Sequence, residues 1–240
     1  MANAQIIHFP DANFKNALVN TKCVDTDGDN IGDSDADLND DGEVDESEAR
    51  AVKRLKVEVG YITNMLGITK FINLTHLDCS YNKLSNLDVT DLEKLIVLKC
   101  DGNRLNTLKV DNLVNLEELN FSNNQLGEVD LKGLAKLEKL VCYVSQLNAL
   151  DVSSLLNLKH LLCGSNNLST LDVSYPSVQV PYVLGLDGSS TLRSFNLVSL
   201  IISSVFSNHS MGFISLAAQE PKKEYIMAIR CAPSCDPANK

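Results

Sequence analysis

Five closely similar stretches spaced by 21 residues constrain this chain more than any other feature. Leu74-Thr75-His76-Leu77-Asp78-Cys79-Ser80-Tyr81-Asn82 is followed in register by Leu95 to Asn103, Leu116 to Asn124, Leu137 to Ser145 and Leu158 to Asn166. Each continues with two aliphatic residues at fixed distances: Leu84 and Leu87, Leu105 and Leu108, Leu126 and Val129, Leu147 and Leu150, Leu168 and Leu171. A unit this short cannot bury its own apolar side, so copies at a constant step must stack and cover one another. The core has to be aliphatic, because Trp is absent and aromatics make up only 5% of the 240 residues.

The repeated positions divide the work. Leu and Cys alternate with polar residues over each short segment, as in a strand with one face inward. Asn82, Asn103, Asn124 and Asn166 stand where the chain leaves that strand, and an Asn there can satisfy backbone groups left unpaired by the bend. Stacked, they form a structural ladder. This is the leucine-rich-repeat pattern L-x-x-L-x-L/C-x-x-N-x-L, which implies a right-handed curved solenoid, mainly β or α/β, with a parallel sheet on its concave face. Two degenerate copies flank the five clear ones. The first holds Val52, Leu55, Val57, Ile62, Met65 and Phe71; in the last, Tyr182, Leu184, Asp187 and Leu192 fall one step after Leu161, Cys163, Asn166 and Leu171. Cys79, Cys100, Cys142 and Cys163 share one inward position with Phe121, and read as small buried hydrophobes. Cys231 and Cys235 are close enough in sequence for a local disulfide.

The net charge of −10 belongs to one segment. Between Asp25 and Glu48 there are nine Asp and three Glu with no Lys or Arg; the remaining 19 acids face 21 basic residues. Such a run either stays solvated or surrounds a cation. Asp37-Leu38-Asn39-Asp40-Asp41-Gly42-Glu43-Val44-Asp45-Glu46-Ser47-Glu48 has the spacing of a twelve-residue calcium loop. Asp37, Asn39, Asp41 and Asp45 supply side-chain oxygens, Glu43 its carbonyl and Glu48 a closing bidentate carboxylate, while Gly42 makes the turn. Glu46 to Leu55 reads as the exiting helix, but no helix precedes the loop. The upstream run resembles the Asp-rich repeats of thrombospondin type 3 modules, where Asp25, Asp27, Asp29 and Asp33 would hold a second Ca2+.

The segment His8-Phe9-Pro10-Asp11-Ala12-Asn13-Phe14-Lys15, the acidic loop and the Cys/Leu repeats together resemble bacterial secreted leucine-rich-repeat surface proteins, the internalins among them, over about residues 5 to 175. The resemblance implies export to the medium or cell surface, a role in adhesion or protein recognition, and a helical cap over Phe9 to Val19. Met1-Ala2-Asn3-Ala4-Gln5 looks either like a secretory cleavage site without its upstream regions or like an ordinary start. The expected organisation is a cap at 1-24, the calcium loop and exit helix at 25-51, repeats at 52-192 and a C-terminal cap or tail at 193-240.

Three functions compete: a module that binds a protein or glycan, a structural spacer of a larger surface protein, and an enzyme. No basic cluster interleaved with aromatics speaks for nucleic acid. No apolar run reaches the roughly 18 to 20 residues that span a bilayer, and Leu197 to Phe206 reads as buried strand. The four histidines are scattered, and no nucleophile or phosphate-loop signature accompanies them. The repeat register places His76, Asp78 and Ser80, then Val97, Lys99 and Asp101, then Glu118, Asn120 and Ser122 on the concave face. Lys139, Val141 and Tyr143, then His160, Leu162 and Gly164 follow. The later coils put Val141, Tyr143 and Leu162 beside Lys139 and His160, an apolar patch with a polar rim that either meets a partner or lies under a C-terminal segment.

Overall fold

The computed structural model describes residues 5–172 and, beyond them, the backbone of three short strands. Two short helices come first. Helix α1, Ala12–Asn20, starts at Asp11, whose carboxylate accepts the amides of Asn13 and Phe14, and it buries Phe14 and Leu18. Helix α2, Glu46–Ala51, is opened by a capping box between Asp45 and Glu48. It is shorter than the Glu46–Leu55 helix expected: Leu55 is instead the inward residue of strand β1, Arg54–Lys56. Val52 and Leu55 are both buried, and alternation over 54–56 suits a strand that can pair with the next coil.

From β1 onward the chain is a parallel β-solenoid. Strands β2 (His76–Asp78), β4 (Val97–Lys99), β6 (Glu118–Asn120), β7 (Lys139–Val141) and β8 (His160–Leu162) follow at 21-residue steps. With β1 and β10 (Tyr182–Leu184) they form a seven-stranded sheet in the order β1-β2-β4-β6-β7-β8-β10, all parallel. Strands β2, β4, β6, β7 and β8 are each three residues long with the middle Leu buried. Second rows of strands lie elsewhere on the coils. Asn86–Asp88 (β3) pairs with Thr107–Lys109 (β5), and Thr170–Asp172 (β9) pairs with Thr191–Arg193 (β11), which is antiparallel to Ile226–Ala228 (β12).

Both degenerate copies join the stack with a register the repeat alone does not give. Leu55 pairs with Leu77, a step of 22. At the other end Val183, not Tyr182, pairs with Leu161, and Leu184 pairs with Leu162 rather than Cys163, so an extra residue is absorbed before β10. Leu192 pairs with Leu171 as the repeat predicts. Asp187, residues 194–225 with Leu197 to Phe206, and residues 229–240 with Cys231 and Cys235 lie outside the described residues, as do residues 1–4.

One aliphatic core runs through cap and coils, from Ile7, Phe9 and Phe14 to Leu168 and Leu171. Cys79, Cys100, Cys142 and Cys163 are buried thiols outside any disulfide, as the inward position requires. Burial pushes the thiols of Cys79, Cys100 and Cys142 far above their ordinary pKa, and that of Cys23 up to about 12, so these groups stay protonated and inert.

Candidate binding face and ion-binding loops

The Asn ladder determines how the sheet face is presented. Asn124 accepts the Leu105 amide at 2.9 Å and donates to the carbonyls of Cys100 and Phe121 at 3.1 and 2.8 Å, tying its coil to the one before. Asn82, Asn103 and Asn166 repeat the scheme. At the break, the Ser145 hydroxyl still reaches the Phe121 carbonyl at 3.0 Å, and the Leu126 amide turns to the Ser145 carbonyl. A second ladder escaped the sequence reading. Asn73, Asn115 and Asn157 donate to the carbonyls of Arg50, Glu93 and Ala135, and Lys94 and Lys136 fill the same position in the intervening coils. Its signal was present as an alternation of Asn and Lys before the first Leu of each repeat.

The exposed face is narrower than alternation predicted. Ser80, Asp101, Ser122 and Gly164 were expected outside but are buried, because the strand ends at its third residue and the chain then bends under the next coil. Ser80 Oγ and Asn120 Nδ2 each donate to Asp101 Oδ1 at 2.8 Å, while Ser122 Oγ has no partner among the described residues. Tyr143 occupies this same column yet is 39% exposed, its ring being too large for the space that takes a Ser. Val141 is only 7% exposed and supports the patch from beneath rather than contacting a partner. Leu162 and His160 are half-buried, and Lys139 pairs with Glu118 at 2.9 Å. His76 and His160 lie four strands apart, roughly 19 Å at about 4.8 Å per strand. They share no reaction centre.

Just beyond the sheet runs a further row: Val59, Tyr81, Gly102, Asn123, Val144 and Ser165, all with φ between 54° and 66°. Their amides, from Val59 to Val144, donate to the carbonyl one coil on at 2.8 to 3.1 Å. That bonding holds even Val59 and Val144 in a conformation β-branched residues avoid.

The acidic segment forms two loops built alike. Asp37 Oδ2 accepts the Gly42 amide at 2.7 Å and Asp25 Oδ2 that of Asn30 at 3.0 Å. Asn39 accepts from Asp41 and Asp27 from Asp29; Asp41 accepts from Glu43 and Asp29 from Ile31. They differ at the twelfth position. Glu48 closes the second loop but already accepts the amides of Asn39 and Asp45, whereas Ala36 ends the first and is buried. Asp45 caps α2, and Glu43 directs its carboxylate to Lys15. The carboxylates brought within 4.8 Å of one another, close enough to share a cation, are Asp25, Asp27 and Asp29 of the upstream run. Asp33 bonds Thr26 instead. Gly32 is required in this loop: a Cβ there would sit 1.7 Å from the Lys22 carbonyl oxygen.

The first loop overhangs the edge of the sheet. Asp25, Asn30, Arg54, Lys56, His76 and Lys99 line a cleft of about 100 Å³. Arg54 lies 3.9 Å from Asp25. The pKa of His76 is lowered by burial and then by the charge of Arg54.

A family model described as Leucine Rich Repeat matches residues 73–95 and 115–137, which are coils of the main sheet. These two coils match the leucine-rich repeat. Among solved structures, an internalin (InlF) of Listeria monocytogenes is 19% identical, with TM-score 0.51, covering 74% of this chain and 56% of its own. The functional domain of InlJ from the same organism, which includes a cysteine ladder, is 21% identical with TM-score 0.40, over 77% of this chain and 53% of its own. A leucine-rich-repeat protein of Leptospira interrogans is 19% identical with TM-score 0.48, over 62% and 41%. This chain thus spans about half the length of the two Listeria structures. Identity at this level speaks to the leucine-rich-repeat fold alone. No curated protein matches the sequence significantly. Among the described residues no helix is long and apolar enough to cross a membrane.

Proposed function

We propose that this chain is an exported recognition module, in which a calcium-loaded N-terminal region caps a solenoid whose sheet face binds a protein or glycan. The observation that carries this reading is Tyr143, an aromatic ring turned outward in a column where the other four coils bury Ser80, Asp101, Ser122 and Gly164. Packing of the core does not require it, and large amphipathic rings with polar neighbours are common anchors of binding sites. Lys139 on the same coil and His160 and Leu162 on the next are paired in register on the adjoining sheet face. Val144, 43% exposed, extends the patch. In this reading residues 52–192 recognise the partner, and residues 1–24 and 25–51 protect the open end of the stack.

The cation sites are part of the proposal. One calcium ion is assigned to Asp37, Asn39, Asp41, Asp45 and Glu48 with the Glu43 carbonyl, and a second to Asp25, Asp27 and Asp29 with Asp33 nearby. The spacing of hard oxygen ligands supports both, and the proximity of the Asp25, Asp27 and Asp29 carboxylates supports the second. Binding to the folded form alone stabilises by about 2.7 kcal/mol when free calcium exceeds Kd about a hundredfold. Titration calorimetry of ion-free protein should register calcium, and chelation should lower Tm; no heat and an unchanged Tm would remove the ions from the model. Recognition is tested with an identified partner by comparing Tyr143→Ala with Lys132→Ala, which alters a residue 78% exposed and outside the main sheet. Equal affinities would reject the Tyr143 patch as the binding site.

A further inference from the structure

The row of left-handed residues beside the sheet contains one member that the turn itself would not select. Tyr81, at φ 55°, is 59% exposed in a position where a glycine or asparagine is the easier choice. Its ring rests over Gly102, one coil on, where an added Cβ would come within 2.7 Å of the ring. That glycine lets the ring lie down against the backbone with its other face open. Tyr143 stands three coils on in the adjoining column, roughly 14 Å away at about 4.8 Å per coil. Across these coils one column of the sheet carries Asp78, Lys99 and Asn120, and the buried Asp101 carboxylate beside it accepts from Ser80 and Asn120 at 2.8 Å. The Tyr81 hydroxyl pKa is raised, first by the charge of Asp101.

Resting on the recognition reading above, we propose that this rim is a stacking site for a neutral glycan, with Tyr81 and Tyr143 as platforms and Asp78 and Asn120 as hydroxyl partners. A sugar ring offers polarised C–H groups to the negative face of an aromatic ring, and hydroxyls at its edge to carboxylates and amides. The strip between the tyrosines has this character. A protein anchor, by contrast, favours a desolvated apolar pocket in a surface depleted of Asp and Glu. Asp78 and Asp101 together outweigh the single charge of Lys99 in this strip, which disfavours an acidic glycan. Tyr61, also exposed, is excluded because Lys83 sits over its ring at 4.7 Å, which makes it an internal control.

The probes are four soluble neutral polysaccharides, a β-glucan, a xylan, a mannan and a galactan, with alginate as an anionic comparison. Affinity electrophoresis measures retardation. The absence of Trp leaves the emission of six tyrosines as a direct signal of stacking. At least one neutral polymer should retard the protein and change its tyrosine emission. Tyr81→Ala and Tyr143→Ala should each weaken binding about tenfold or more, Tyr81→Phe should keep it, and Tyr61→Ala should leave it unchanged. Melting curves of the variants establish that they remain folded. Retardation by none of the four, preference for alginate, or unaltered binding by both Ala variants would overturn the proposal. A protein partner that depends on Tyr143 while no polysaccharide binds would overturn the glycan inference and leave the recognition reading intact.

Discussion

The cap and the coils solve one problem with different acceptors. Both must satisfy backbone amides in irregular chain, and both use buried side-chain oxygens to do so. In the coils the acceptors are the neutral amides of Asn82, Asn103, Asn124 and Asn166; in the cap they are the carboxylates of Asp11, Asp25, Asp37 and Glu48, all buried. A charged acceptor makes stronger bonds and can gather several donors, but it carries a proton-binding site with it. The Asn ladder is therefore expected to be insensitive to acid where the acceptors of the cap are not.

The largest expected effect is at Asp11. Its carboxylate caps α1 through Asn13 and Phe14 and also accepts from Thr63 and Asn64, more than 50 residues away. Asp11→Ala removes the clamp between the first helix and the first coil and should cost about 3 kcal/mol in denaturant unfolding. A cost under about 1 kcal/mol would mean that the cap is held by Phe9, Phe14 and Phe71 packing instead.

Acid sharpens the contrast. Burial raises the pKa of Asp11, but the bonds from Thr63, Phe14 and Asn13 outweigh it and lower the value; for Asp25, burial is outweighed by the amides of Gly28 and Asn30 and by Arg54. A lowered folded pKa means stability that is present above the ordinary carboxylate value near 3.8 and is lost as pH falls through the folded value. His76 adds an earlier window. Its lowered pKa favours the neutral ring, so its contribution is present above the ordinary 6.5 and declines as pH falls toward the folded value. Segment-resolved hydrogen exchange at falling pH should show the cap and β1 losing protection before β6 to β8. Simultaneous loss throughout would show the two regions to be one cooperative unit.

Within the coils, Asn124→Ala should cost about 2 kcal/mol, because it leaves the buried Leu105 amide without its acceptor and takes one of the donors from each of the Cys100 and Phe121 carbonyls. This decrement should be the same at pH 7 and at pH 4; a strong pH dependence would erase the distinction between the regions. The smallest effect is at the natural break. Ser145→Asn restores the ladder residue and should raise stability by about 0.5 kcal/mol, read as a shift in the denaturant midpoint. A loss would show that the turn around Val144 and Gln146, both at positive φ, has been built around Ser.

The repeat step, the inward Leu and Cys positions, the Asn ladder and the acidic loops were all legible in the sequence, because each is set by spacing along a local stretch of chain. Alternation encodes which way a side chain points while the strand lasts. It does not encode where the strand stops. That is why Ser80, Asp101 and Ser122 are buried against expectation, why Val141 lies beneath the patch, and why the 22-residue step at β10 went unread. The clamp from Asp11 to Thr63, the overhang of the first loop on Arg54, and the seating of Tyr81 on Gly102 join residues whose positions become adjacent only when one coil is laid on another. Only the tertiary structure could decide them, since the stacking register and the side-chain volumes in contact are properties of the assembled coils and not of any one repeat.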